Sequence, residues 1–297
     1  MVGTSYSVVI PARNAAATLP RVLESLATQE PAPAEVVVVD DGSDDSTAAL
    51  AAEGGRVISS RGGRSAGGAR NEGWAAATGE VVVFLDTDAL PAPGWGAGVV
   101  RAVEEFGGAL VGCARTFDAD TPWGRVCHLQ VETPYLARGG PRETSFLSSF
   151  CLMVPRDGPL RWEESFGGED ALFCADAVAA ELRLVFDPRF VARHEHERRT
   201  IADLRRQQRR LAYGLARATP LEEGRATRAL RRVPLHYFAL LRLPVILRRV
   251  APDRRLRDRF VVLLPRLVIA EWSLGASALH YAVRRPALRG DSQPQFE

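Results

Sequence analysis

The chain has 297 residues, 46% of them apolar and 25% charged, with a formal net charge of +2. This balance excludes a disordered chain, and the length allows one large α/β domain, or one domain with an appendage, with an ample core. Every basic residue is arginine, and the near-neutral total hides a step: residues 1–200 carry 18 arginines against 28 acids, a net of −10, whereas residues 201–297 carry 20 against 8, a net of +12. An acidic front and a basic back point to two regions with different partners.

The first elements alternate. "SYSVVIPARN" is an apolar run ended by Pro11, and it starts without a signal-peptide pattern. "AATLPRVLESLATQ" places Leu19, Val22, Leu23 and Leu26 at helical spacing. "AEVVVVDDGS" is a second buried-strand pattern, and "DDSTAALAAEGG" opens a helix with Ser43 or Asp44 as the expected N-cap. "GRVISS" reads as a short third strand. "GGRSAGGARNEGWAAATG" is a glycine-rich loop running into a helix, and "EVVVFLDTD" is a fourth strand.

Later elements are a helix at "PGWGAGVVRAVEEFGG" and strands at "ALVGCA" and "SSFCLMVPRD". A loop, helix and strand follow in "FGGEDALFCADAVAAELRLVFDP". Residues 116–147 show little periodicity. Continuous apolar strands alternating with amphipathic helices predict a mostly parallel sheet covered on both faces, whose ligands bind at the carboxyl ends of the strands. Cys113, Cys127, Cys151 and Cys174 form no C-x-x-C pair, so buried free thiols in a reducing compartment are expected.

Acids stand where three of these runs stop. Asp40 and Asp41 precede the turn residue Gly42; as a plain reading they cap a helix, and as a functional one they accept hydrogen bonds from a base or ribose. Asp86 and Asp88 flank Thr87 directly after a buried run, where unpaired carboxylates are costly. Two hard oxygen ligands at this spacing suit Mg²⁺ or Mn²⁺ held against a diphosphate. Glu169 and Asp170 follow Gly168 at the start of a helix, where acids favour the dipole, but one could also take a proton from an attacking hydroxyl. His194 and His196 would share a face if extended, making a ligand role as plausible as a structural one.

Taken in order, "VVIPARN", "VVVVDDGSDDST", "GGARNEGWAAATGEVVVFLDTDA" and "FGGEDALF" resemble family 2 glycosyltransferases of the GT-A fold, over roughly residues 5 to 200. The resemblance implies that Pro11, Asp40 and Asp41 line a nucleotide-sugar pocket, with Arg70 near the diphosphate or base. Gly42 and Arg13, the latter standing where relatives usually have an aromatic, are further candidates for that pocket. Asp86 and Thr87 would lie near the ribose. Asp88 would be the principal metal ligand, with Asp86 and His194 beside it. Asp170 resembles the catalytic base, with Glu169 near the acceptor. Gly168, Trp123 and Tyr135 are candidate acceptor contacts.

The basic tail carries helices with apolar faces flanked by arginines. Phe260 to Val283 has the length of a membrane span, 24 residues, but contains Pro265, Arg266 and Glu271. Charges there are expensive in lipid. Interfacial association with anionic lipid is expected, with packing on the catalytic domain or on a second copy in a homodimer as the alternative. No stacking platform or groove-reading motif supports nucleic acid as a partner.

The sequence therefore predicts a GT-A catalytic domain over residues 1–200 and a basic helical region over 201–297. The reaction expected is metal-dependent inverting transfer of a sugar from a nucleotide-diphosphate sugar to an acceptor hydroxyl on a glycan, a lipid-linked glycan of the cell envelope or a small molecule. The expected location is the cytoplasmic face of the cell membrane. A sugar-nucleotide nucleotidyltransferase would use similar acids, but it should carry a glycine-rich basic loop after the first strand, which "IPARN" lacks. A non-catalytic binding module would have no need of Asp170.

Overall fold

The computed structural model describes residues 4–60, 65–164, 167–195, 198–218 and 239–284. The chain divides into two compact units, one formed by residues 1–116 and 135–195 and the other by 117–134 and 196–297.

The first unit is built on a nine-stranded mixed sheet. Strands β1 (Tyr6–Ala12), β2 (Glu35–Asp40), β3 (Arg56–Ser59) and β4 (Val81–Leu85) run parallel in the order β3-β2-β1-β4. Alternation splits β1 between two cores. Val8 and Ile10 face α1 (Leu19–Ala27), while Val9 faces α3 (Ala66–Ala76) on the other side. Helix α3 sits close because Gly73 has no Cβ; one built there would collide with Val9 and lie 3.0 Å from Val39 Cγ2. Helix α2 (Thr47–Gly54) begins later than the sequence suggests, with Ser46 as N-cap. Ser43 is engaged instead by Asp40 and Asn14, and the Asp45 carboxylate takes the Thr47 N–H at 3.0 Å.

Past β4 the sheet changes direction. β8 (Cys151–Pro155) is antiparallel to β4, and β6 (Leu110–Phe117) is antiparallel to β8. The order then continues through β9 (Leu184–His194) to β5 (Ala89–Pro91), with β7 (Arg142–Glu143) also paired to β9. Helix α4 (Trp95–Phe106) places Trp95 and Val99 in the first core, and α6 (Glu169–Ala179) places Phe173 in the second. All four cysteines are buried and free.

The second unit is helical: α5 (Pro122–Val131), α7 (Ile201–Ala218), α8 (Ala239–Val250) and α9 (Arg254–Arg284). Helix α5 escapes a periodicity search because His128 and Gln130 share its buried face with Val126 and Leu129. Thr121 caps it by accepting the Gly124 N–H. Helix α7 starts on a reciprocal cap: Asp203 accepts from the backbone of Arg199 and Thr200, and its own N–H reaches Thr200 Oγ1. The Thr200 hydroxyl, which donates to the same carboxylate at 2.7 Å, together with the two backbone N–H groups holds the Asp203 carboxyl down at about 2. Val126, Leu129, Leu204, Ile246 and Leu267 form the apolar core.

At its centre lies a polar knot. Gln208 Nε2 donates to Gln130 Oε1 (3.0 Å) and Ala270 O (2.8 Å), Gln130 Nε2 donates to Glu271 Oε1 (3.1 Å), and Arg242 Nε lies 3.5 Å from Glu271 Oε2.

Candidate functional site

The carboxyl ends of β1, β2 and β4 share one edge of the parallel half-sheet, which gathers three of the sequence-predicted groups. Asp40 and Asp41 are both buried at the end of β2. Asp40 Oδ1 accepts the Ser43 N–H and hydroxyl, and Asp41 Oδ1 accepts the Ser60 hydroxyl at 2.8 Å. Gly42 turns the chain at φ 72°, a conformation that suits glycine. The loops after β1 and β2 are stitched together, since Asp44 N donates to Asn14 Oδ1 (2.8 Å) and Asn14 N donates to Ser43 Oγ (2.9 Å). Pro11 is half-buried at the tip of β1, and Arg13 just beyond it is exposed.

Residues 86–89 form a tight turn from β4 into β5, closed by Ala89 N to Asp86 O at 3.1 Å. The register between β5 and β9 then sets Ala89 opposite His194. This pairing, together with Glu195 N donating to Asp88 O (2.8 Å), brings His194 Nε2 to 3.3 Å from Asp88 Oδ2. Two groups more than a hundred residues apart in sequence thus converge, with His194 almost fully buried. His196 lies outside the described residues.

On the other side of the turn, α3 delivers Arg70, which is 3% exposed. Its Nη2 pairs with Asp86 Oδ1 at 3.0 Å, its Nη1 lies 3.7 Å from Glu169 Oε1, and the guanidinium sits 4.8 Å from the ring centre of Trp162. Gly167 and Gly168, at φ 81° and 84°, turn the chain into α6, so that Glu169 and Asp170 occupy its first turn. Burial pushes the Asp86 carboxyl above the usual carboxylate range; Asp88 and Asp170 add to this and Arg70 opposes it. Burial and Asp170 likewise raise Glu169. Asp170 Oδ1 is buried with no hydrogen-bond partner among the described residues.

Four carboxylates therefore gather around one guanidinium and one imidazole. The surplus of negative charge suits a divalent cation, and Asp88 with His194 could hold it, Asp86 standing next to them. No three His, Cys, Asp or Glu side chains among the described residues group closely enough to hold an ion alone. The remaining ligands would be phosphate oxygens and water, as is usual for Mg²⁺.

Three residues that the motifs did not single out buttress this site. Phe150 accepts the Asp86 N–H at 3.1 Å on its carbonyl, and its ring centre lies 4.7 Å from that of His194. The Arg115 guanidinium lies 4.2 Å from the ring centres of both Phe150 and Tyr135. A charge inside the buried strand pattern "LVGCARTF" was the available signal. Trp162 stacks on Phe173 at 4.0 Å, and Asn71 clamps its backbone, donating to the carbonyl (2.9 Å) and accepting from the N–H (2.8 Å). Of the candidate acceptor residues, Gly168 belongs to this site, and Tyr135 is engaged by Arg115 and by Phe186, 6.1 Å between ring centres. Trp123 belongs to the helical unit, packed against its apolar core.

Residues 7–158, just over half the chain, match the family model described as Glycosyl transferase family 2. No curated protein matches the chain. Among solved structures, the chain is similar to the mannosyltransferase PcManGT from Pyrobaculum calidifontis in complex with GDP-Man and Mn²⁺. That match has a TM-score of 0.64 and 19% identity, and covers 98% of this chain and 89% of that one. Glucosyl-3-phosphoglycerate synthase from Mycobacterium tuberculosis, in complex with Mn²⁺ and UDP-Glc, matches with a TM-score of 0.53 and 25% identity, over 75% and 81% of the two chains. TarS 1-349 from S. aureus, in complex with UDP-GlcNAc, matches with a TM-score of 0.52 and 18% identity, over 97% and 93%. The fold they share with this chain is GT-A.

Proposed function

Because the chain belongs to glycosyl transferase family 2, we propose that it is a metal-dependent, inverting hexosyltransferase that takes its sugar from a nucleotide-diphosphate donor and passes it to an acceptor hydroxyl. The nucleoside lies along Pro11, Arg13, Asp40, Asp41 and Gly42. Asp88 and His194, with Asp86 and Thr87 close by, would hold a Mn²⁺ or Mg²⁺, which when bound would supply positive charge against the leaving diphosphate. Asp170 takes the acceptor's proton while the acceptor oxygen bonds to the anomeric carbon. The bond from that carbon to the diphosphate breaks, and the nucleoside diphosphate departs with the electron pair. One base and one displacement give inversion. Glu169 stands on the acceptor side, and Arg70 keeps the carboxylates together as their shared counter-ion. The acceptor class we favour is a glycan, free or lipid-linked. The four buried free thiols suit the reducing cytoplasm.

The observation that carries this reading is the Asp170 carboxylate oxygen Oδ1, buried without a hydrogen-bond partner among the described residues, in the same cluster as the Asp88–His194 pair. Asp170→Asn should still gain thermal stability from nucleoside diphosphate with Mn²⁺ while losing about 10²- to 10⁴-fold in turnover. Full turnover in that variant would remove Asp170 as the base. Absence of a metal-dependent shift with any nucleoside diphosphate or its sugar would sink the proposal as a whole.

A further inference from the structure

Among the described residues eleven large apolar side chains are exposed, and nine of them lie on α8 and α9. On α9 the outward stripe includes Val261 (62% exposed), Val262 (72%), Ile269, Trp272 (66%) and Leu279. Leu241 and Val245 extend it onto α8. At 1.5 Å per residue the α9 stripe is about 27 Å long. Between Phe260 and Tyr281 its exposed members include one charge, Arg266. An apolar patch of this kind marks a binding surface.

Charge selects the occupant. Arg248, Arg249, Arg254, Arg255 and Arg257 are exposed around the turn joining the two helices, against Asp253, Asp258 and Asp118, the last 3.5 Å from Arg255. A second copy of this face would bring the same excess of arginine and few acids to meet it. A bilayer with anionic headgroups supplies both the apolar layer and the counter-charge.

The opposite face of α9 decides how it lies. By length and composition alone Arg254–Tyr281 includes a stretch apolar enough to cross a membrane. However, Glu271 points inward, fully buried, and is held by Gln130 and Arg242. A crossing helix would carry that carboxylate into hydrocarbon and undo the knot.

We propose that the outer face of α8 and α9 is a monotopic membrane-binding surface. The hairpin lies in the plane of an anionic bilayer, Val261, Val262, Ile269 and Trp272 enter the acyl boundary, and the arginines at its turn meet lipid phosphates. This inference does not depend on the catalytic reading.

The test uses the full chain, phosphatidylcholine vesicles with or without phosphatidylglycerol, and no donor or metal. Co-flotation should be strong only with phosphatidylglycerol, and each arginine of the turn changed to glutamine should weaken it by about fivefold. Trp272 fluorescence should be quenched by lipids brominated near the headgroup more than by lipids brominated at the chain end, and Trp272→Phe should abolish that signal. Val262→Glu with Ile269→Glu should abolish flotation while leaving the melting temperature intact. Failure to float overturns the proposal, including the case of a dimer that these two changes dissociate. Strongest quenching from the chain ends overturns the in-plane arrangement.

Discussion

Gly67 offers a direct test of how the base is positioned. A Cβ at this position in the first turn of α3 would land on the Glu163 carbonyl oxygen, 3.1 Å from its carbonyl carbon and 3.3 Å from Trp162 Cβ. Two of these three atoms belong to backbone, which cannot rotate away, so Gly67→Ala forces the segment before Gly167 to retreat by about 1 Å, with an overpacking cost of roughly 1–3 kcal/mol. The helix-propensity gain from replacing glycine is about 1 kcal/mol, so the net loss of stability should be small, at most about 2 kcal/mol. The effect on turnover should be much larger. The same segment carries Trp162 against Arg70 and leads through Gly168 into Glu169 and Asp170. A misplacement of that size in a catalytic group costs about 10²-fold in rate. The assay pairs steady-state kinetics with thermal unfolding, using Gly140→Ala as the control, since nothing lies within 4 Å of a Cβ there. Wild-type kcat in Gly67→Ala, with only the melting temperature changed, would refute the idea that this packing positions Asp170.

Arg115→Met should loosen Phe150 and through it the His194–Asp88 pair; titration calorimetry with Mn²⁺ and nucleoside diphosphate should show roughly tenfold weaker metal binding. Arg115→Lys should fare little better because it lacks the planar stack, and unchanged binding in both would exclude the relay. Glu271, raised by burial against the opposing Arg242 and Gln130, holds its proton in the folded state to higher pH than in the unfolded chain. Its contribution to stability should therefore fall as pH rises above the unfolded value of 4.5. Glu271→Gln should flatten that slope in the melting temperature, and identical slopes would count against the assignment. Thr200→Ala removes the cap of α7 and should cost about 1 kcal/mol, read as a lower urea midpoint at unchanged m-value.

Local patterns were enough to locate most of the sheet and the acids on its edge. The valine runs before Asp40 and Asp86 can only be buried strands, and an acid at the end of such a run is legible because an unpaired charge there is costly. The resemblance of the four motifs added the family. What residue spacing could not supply is convergence, which came only as an expectation from that resemblance. His194 reaches Asp88 only through the register of β5 against β9, a three-residue strand too short to leave a periodic signature. Arg70 has the look of a ligand-facing group from its loop, yet the packing of α3 on β1 buries it against Asp86 and Glu169. Phe150, Arg115 and Trp162 matter through what they touch, which no spacing encodes. In the tail, composition alone left Glu271 as an obstacle to lipid. Tertiary structure turned it inward, because a buried carboxylate needs donors and Gln130 and Arg242 come from two other helices. That choice of face is what leaves Val262 and Trp272 on the outside.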